Sequence, residues 1–335
     1  MPQRIIKLIP DQEEKNSLEE VWHSQAPSRE SPLDFTAKRL GRPEGQSPPS
    51  PAEAEKRLLE LLDWAQWVRL YPRPVQALGA VVRLAQERGL PKGILWLAPG
   101  TGAPLDPPDG PPGVAVLRAD WTPDAESLVR EAEQAREAGL LMVLDESTTG
   151  FRLAPGGARQ FYGLAAEFAI YGPALAGGRE LAVLAGVSQA PPRPRRLPSQ
   201  EALAALGALL PRLAQGETAR RAQAWGRAFI LGMEFFARKA GVEGDITVGG
   251  PKALPRLDGK RLWAFIQLAK EEGLALTPLV LADLSRDPAQ APRALWPRLA
   301  RACARLKVLP QGEKAPPSWP RAYAGVARAG FEEGT

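Results

Sequence analysis

A chain of 335 residues with 44% hydrophobic and 24% charged side chains can bury a substantial core, and its composition is that of neither a wholly disordered nor a membrane protein. The net charge of +5 comes largely from arginine and, spread over this length, does not mark a nucleic-acid partner. Cys303 and His23 are each alone of their kind. That excludes an internal disulfide, cysteine-based metal sites, Ser-His and Cys-His triads and most zinc sites, so no metal site is expected.

Residues 1–52 read as a divergent arm that ends in the Pro/Ser-rich linker "GRPEGQSPPSPAEAE". The start has no long apolar h-region and no apolar run nears the roughly 20 residues of a membrane span, so a cytoplasmic location is expected. Asn16 is the single asparagine, and Arg, Pro, Leu and Ala abound; the composition fits a heat-adapted protein or a GC-rich genome.

From residue 53 the pattern alternates. "PAEAEKRLLELLDWAQWV" places Leu and Trp at helical spacing, "VQALGAVVRLAQERG" is a second helix stopped by Gly89, and "GILWLA" is a short buried strand. The loop "PGTGAPLDPPDGPPG", the strand "VAVLRA", the helix "DAESLVREAEQAREAG" and the strand "LLMVLDE" follow. Strands separated by helices of this length predict an α/β fold with a mainly parallel sheet covered on both faces. After Gly186 a Pro/Arg-rich loop, "QAPPRPRRLPSQ", leads to two long helices, and then to "DITVGG", the helix "GKRLWAFIQLAKEEG", the strand-like "LALTPLVLA" and the helix "PRALWPRLARACARLKVL". The expected division is a large domain over 53–240 with connecting helices, a small C-terminal α/β domain over 241–310, and a tail over 311–335.

The stretch "LLMVLDESTTGFRLAPGGARQFYG", followed by "GPALAGGRELAVLAG", resembles class III pyridoxal-phosphate-dependent aminotransferases, and among them glutamate-1-semialdehyde aminomutases. It carries an Asp-Glu-x-x-x-Gly-Phe-Arg motif after a strand, then a glycine-rich element at the family's spacing. Fainter resemblance runs from about Glu53 to Leu309. The resemblance implies the type I fold of these enzymes, with the N-terminal part truncated or replaced. It makes Asp145, the strand-end acid, the contact of the pyridine nitrogen, and marks Thr149 and Arg152 as vestigial cofactor positions. For Asp145 the alternative is an acid that caps the next turn. For Gly150, Phe151 and Arg152 it is a turn glycine, a packed aromatic and a surface guanidinium.

Pro173 stands where the family has its Schiff-base lysine, and proline has no amine to offer. No lysine lies between Lys92 and Lys239 to replace it. Arg73-Pro74-Val75 replaces the family's Ser-Gly-Thr phosphate loop, so neither glycine nor hydroxyl meets a phosphate at that helix start. The region of the partner-subunit threonine has none, and "PGTGAPLD" replaces the ring-stacking residue, leaving Gly100-Thr101-Gly102 as a possible anion nest.

With these losses no catalytic residue and no cofactor are expected. The expectation is a pseudoenzyme, a structural, scaffold or regulatory subunit working through protein contacts, as a homodimer or heteromer, with residues 1–52 the first place for a partner. Two alternatives stay open: an active enzyme of the family with noncovalent pyridoxal or pyridoxamine phosphate, and an anion- or nucleic-acid-binding protein using Arg73, Arg152 and the Arg193 to Arg196 tract.

Overall fold

Ser50 opens the first helix, α1 (Pro51–Leu61): its hydroxyl oxygen accepts the Glu53 backbone N–H at 3.2 Å, and Pro51 fills a first-turn position that needs no N–H partner. The computed structural model describes residues 47–97, 110–118, 125–147, 149–176, 179–274, 276 and 291–309. The helix expected to run on through Val68 stops at Leu61. Trp67–Tyr71 instead forms a strand, β1. The reason is tertiary: this segment hydrogen-bonds along Ala182–Gly186, and Val68 and Leu70 bury one face of it, a gain that local helical spacing cannot register.

Helix α2 (Pro74–Glu87) follows, then β2 (Gly93–Leu97), β3 (Pro112–Arg118), α3 (Ala125–Glu137), β4 (Leu141–Glu146), α4 (Gly157–Tyr162), β5 (Phe168–Tyr171) and β6 (Ala182–Gly186). The sheet order is β1-β6-β5-β4-β3-β2. Strands β2 to β5 are parallel, and β6 runs antiparallel to both β5 and β1. This is the mainly parallel sheet the sequence predicts, with β1, β5 and β6 added to the expected strands.

Successive side chains leave opposite faces of a strand, so one sheet feeds two cores. Val114, Val116, Val143, Phe168 and Ile170 pack with α2 on one face. Ala115, Leu117, Met142, Leu144 and Ala169 join the other face, under residues of α1 and α3. With both faces covered, β3 to β6 read as unbroken apolar runs rather than alternating ones.

Helix α5 (Gln200–Ala214), N-capped by Ser199, is joined to the long α6 (Glu217–Ala240) through Gly216. Two short antiparallel strands, β7 (Thr247–Gly249) and β8 (Arg256–Asp258), precede α7 (Leu262–Glu271) and α8 (Ala291–Val308). Arg261 ties this part together: it donates to the Leu306 and Leu309 carbonyls at 2.8 and 3.0 Å and pairs with Asp245. Of the strand-like "LALTPLVLA", all but Leu274 and Leu276 lies outside the described residues. Among the described residues no helix is long and apolar enough to cross a membrane.

Candidate functional site

In an open sheet of this kind, sites form beyond the carboxyl ends of the parallel strands. There β3 ends on Arg118, β4 on Asp145 and Glu146, and β5 on Tyr171. The in-register β3/β4 pair sets Arg118 opposite Asp145. Their side chains are nearly buried, with Arg118 Nε 3.8 Å from Asp145 Oδ2. The other carboxylate oxygen, Oδ1, accepts the Ser147 backbone N–H at 2.9 Å. Asp145 therefore caps the turn that follows it, the second of the two roles the sequence allows, and has a cation beside it as well.

Glu146 is wholly buried and more elaborately held. Its carboxylate accepts the backbone N–H groups of Ala158 at 2.5 Å and Arg159 at 3.1 Å, and the Thr149 hydroxyl at 3.5 Å. Burial pushes this carboxyl up to about 7, against the pull of those donors. Thr149, marked from the sequence as a vestigial cofactor position, is thus engaged with Glu146. The sequence reading missed Glu146 altogether; the signal was the Gly156-Gly157 pair, which lets backbone amides close on a carboxylate.

The Gly-Phe-Arg turn is dictated by close packing. A Cβ on Gly150 would lie 2.7 Å from Tyr171 Cδ1 and 2.8 Å from the Glu146 carbonyl oxygen. Phe151 takes a left-handed φ of 61° and packs on Tyr171 with centroids 4.9 Å apart. Arg152, expected on the surface, is instead 1% exposed and belongs to the interior. The motif is built into the core, which is why its guanidinium is not available to solvent.

Position 173 comes next to this edge. Gly172 lies so close to Ser147 that a Cβ would fall 2.7 Å from that side chain, and Pro173 then opens a 3-10 turn, Pro173–Ala176. At the start of α2, Arg73 is the N-cap residue but makes no capping bond, and Pro74 and Val75 fill the first turn. The Arg73 guanidinium donates through Nε to Glu180 at 2.7 Å and pairs with the same carboxylate through its terminal nitrogen.

The other arginines of the anion-binding alternative are dispersed in role. Arg193 pairs at 2.7 Å with the buried Glu55, which also accepts the Leu70 N–H. With Arg152 interior and Arg73 on Glu180, these groups do not assemble one open basic surface; Arg195 and Arg196 are exposed. Gly100-Thr101-Gly102 lies outside the described residues. Among the described residues no group of three His, Cys, Asp or Glu side chains converges as a metal site would require.

A pyridoxal-type cofactor needs an amine, a phosphate cradle and a carboxylate at its ring nitrogen. Among the described residues of this edge, Asp145 is the carboxylate. Residue 173 has no amine, and the first turn of α2 has no hydroxyl and one N–H fewer because of Pro74. Among the described residues, position 173 and the start of α2 do not fit covalent attachment of that group.

No protein-family model matches the chain. A glutamate-1-semialdehyde 2,1-aminomutase of Methanococcus vannielii is 43% identical over 54 residues, 16% of this chain and 13% of the relative. That of Thermus thermophilus is 43% identical over 61 residues, 18% of this chain and 14% of the relative. The matched stretch thus spans well under two thirds of these relatives. Likeness in structure extends much further. The FumI protein of Sphingopyxis sp., solved in a PLP form, superposes with a TM-score of 0.62 at 16% identity, over 83% of this chain and 81% of that one. A transaminase solved with PLP bound gives 0.61 at 16% identity, over 82% of each chain. Ornithine δ-aminotransferase of Plasmodium falciparum gives 0.62 at 13% identity, over 86% of this chain and 88% of its own. The fold is that of the type I pyridoxal-phosphate-dependent transferases, as the sequence implies. The expectation of no cofactor is corrected by the same structures: two of them hold pyridoxal phosphate, so the ligand to which this fold points is PLP rather than none.

Proposed function

We propose that this chain is an aminotransferase-like protein that forms no Schiff base of its own and serves as a structural, scaffold or regulatory subunit through protein contacts. The observation that carries this reading is position 173: the 3-10 turn beside the end of β4 begins with proline, in a chain with no lysine between Lys92 and Lys239. The α2 start supports it, since Arg73 is bound to Glu180 rather than presented to an anion. A surface role is supported by Leu231 and Phe235, one turn apart on α6 and 57% and 59% exposed. The partner is a second copy of this chain or another protein.

PLP is the ligand with which to test it. The purified chain is mixed with PLP, reduced with borohydride and mapped by peptide mass spectrometry. The expected result is no adduct at a defined lysine; a stoichiometric adduct at one site would end the noncatalytic reading.

A second reading is an enzyme that uses pyridoxal or pyridoxamine phosphate noncovalently. It is favoured by the retention of Asp145, buried at the end of β4. Conversion of added pyridoxamine phosphate to pyridoxal phosphate by the chain, with a keto acid as acceptor, would select it.

A further inference from the structure

Among the described residues of this edge, Asp145 is the acid that a cofactor ring would meet, and its surroundings determine what it can do. It lies at the carboxyl edge of β4, directly across from Arg118 of β3. Arg118 Nε is 3.8 Å from Asp145 Oδ2, with side-chain exposures of 9% and 6%. A carboxylate out of water is stable as an anion only with a cation or strong donors around it. Here Ser147 N–H supplies one donor and Arg118 supplies the charge. A guanidinium never gives up its proton at ordinary pH, so that charge is permanent.

A protonated pyridine nitrogen seated against Asp145 would bring a second cation to the same carboxylate. Two cations sharing one anion in a poorly hydrated site repel each other, and the ring would have to displace Arg118 or bind in its neutral form. Neither alternative gives it the full attraction of the carboxylate.

We propose that Arg118 is the counter-ion of Asp145 and competes with a protonated ring nitrogen for it, so that Arg118 sets the affinity of this edge for a pyridoxal-type ring. The proposal rests on the reading above that this edge descends from a cofactor site. It makes Arg118 a positioning residue, acting on a ligand only through Asp145.

The test uses pyridoxine phosphate, which has no aldehyde and cannot form a Schiff base, titrated into the full chain and followed by the ring's own fluorescence, which also reports its protonation. Arg118→Met is expected to bind it at least about tenfold more tightly than the unaltered chain and to shift the bound ring toward its protonated spectrum. The double variant Arg118→Met/Asp145→Asn is expected to lose both effects. If Arg118→Met does not fold, Arg118→Gln, which removes the charge but keeps hydrogen-bonding capacity, is read the same way. Equal affinities, or no binding by either charge-removing variant, overturn the proposal. So does an Asp145→Asn variant about tenfold weaker than the unaltered chain, because Asp145 would then already be serving the ring. A borohydride-fixed PLP adduct would overturn the noncatalytic reading alone, since the aldehyde-free probe does not report on it.

Discussion

A β-carbon on Gly157 would stand 2.3 Å from Glu146 Oε2, so the glycine and the buried carboxylate each require the other. The carboxylate needs the Ala158 and Arg159 amides, and those amides reach it only if nothing fills the space over residue 157.

Gly157→Ala is therefore expected to destabilise the chain by more than about 2 kcal/mol, from a left-handed φ of 77° combined with the clash. Gly163→Ala is the control. Its φ of 67° is similar, but a Cβ there meets nothing within 4 Å, so about 1 kcal/mol is expected. Urea denaturation of the two variants measures the difference, and equal losses would show that the contact with Glu146 contributes nothing.

Glu146 also gives stability a pH dependence. Burial raises its carboxyl from 4.5 to about 7, so the folded chain holds that proton more tightly than the unfolded chain does. Its contribution is complete below about pH 4.5 and is lost as pH rises toward 7, with a slope of up to about 1.4 kcal/mol per pH unit. Glu146→Gln should lower stability and remove this component. The check is the difference between the two denaturation profiles across that pH range; a constant difference would refute it.

Glu55 and Arg193 should respond unequally. Glu55 is buried and accepts from the Leu70 N–H and from Arg193, with Arg69 3.5 Å away. Glu55→Ala strands the Leu70 N–H and a partly buried guanidinium, for an expected loss of about 2 kcal/mol. The Arg193 side chain is 53% exposed, so Arg193→Ala should cost under about 1 kcal/mol. Thermal denaturation of both variants tests the order, and a larger loss for Arg193→Ala would contradict it.

Restoring the amine alone should not restore chemistry. Pro173→Lys is expected to show no transaminase turnover with PLP and an amino donor, because the start of α2 still offers Arg73-Pro74-Val75 to the phosphate. Measurable turnover would mean that this helix start holds the cofactor despite its residues.

Much of the fold was legible because its signals are local. The helix pattern over 74–87 and 125–137 and the apolar runs of β3 and β4 each follow from burial of a single face or of both faces. The failure at Trp67–Tyr71 has the opposite cause: its leucine and tryptophan spacing is helical, and only a partner strand far along the chain makes it β1. At the candidate site the sequence names residues but not their contacts. Asp145, the glycine turn and Pro173 can be read by position, whereas the burial of Arg152 and the hold on Glu146 depend on how the turn folds back under β5.

By itself the sequence determined the alternation of strands and helices, the acid at the end of β4 and the absence of an amine at position 173, because periodicity and covalent chemistry need no partner to be read. Only the tertiary structure decided that β1 is a strand, that Arg118 lies beside Asp145, and that Glu146 is enclosed by the amides that start α4. Each of these joins groups that local spacing treats as strangers, and their energy exists only once the sheet has brought them together.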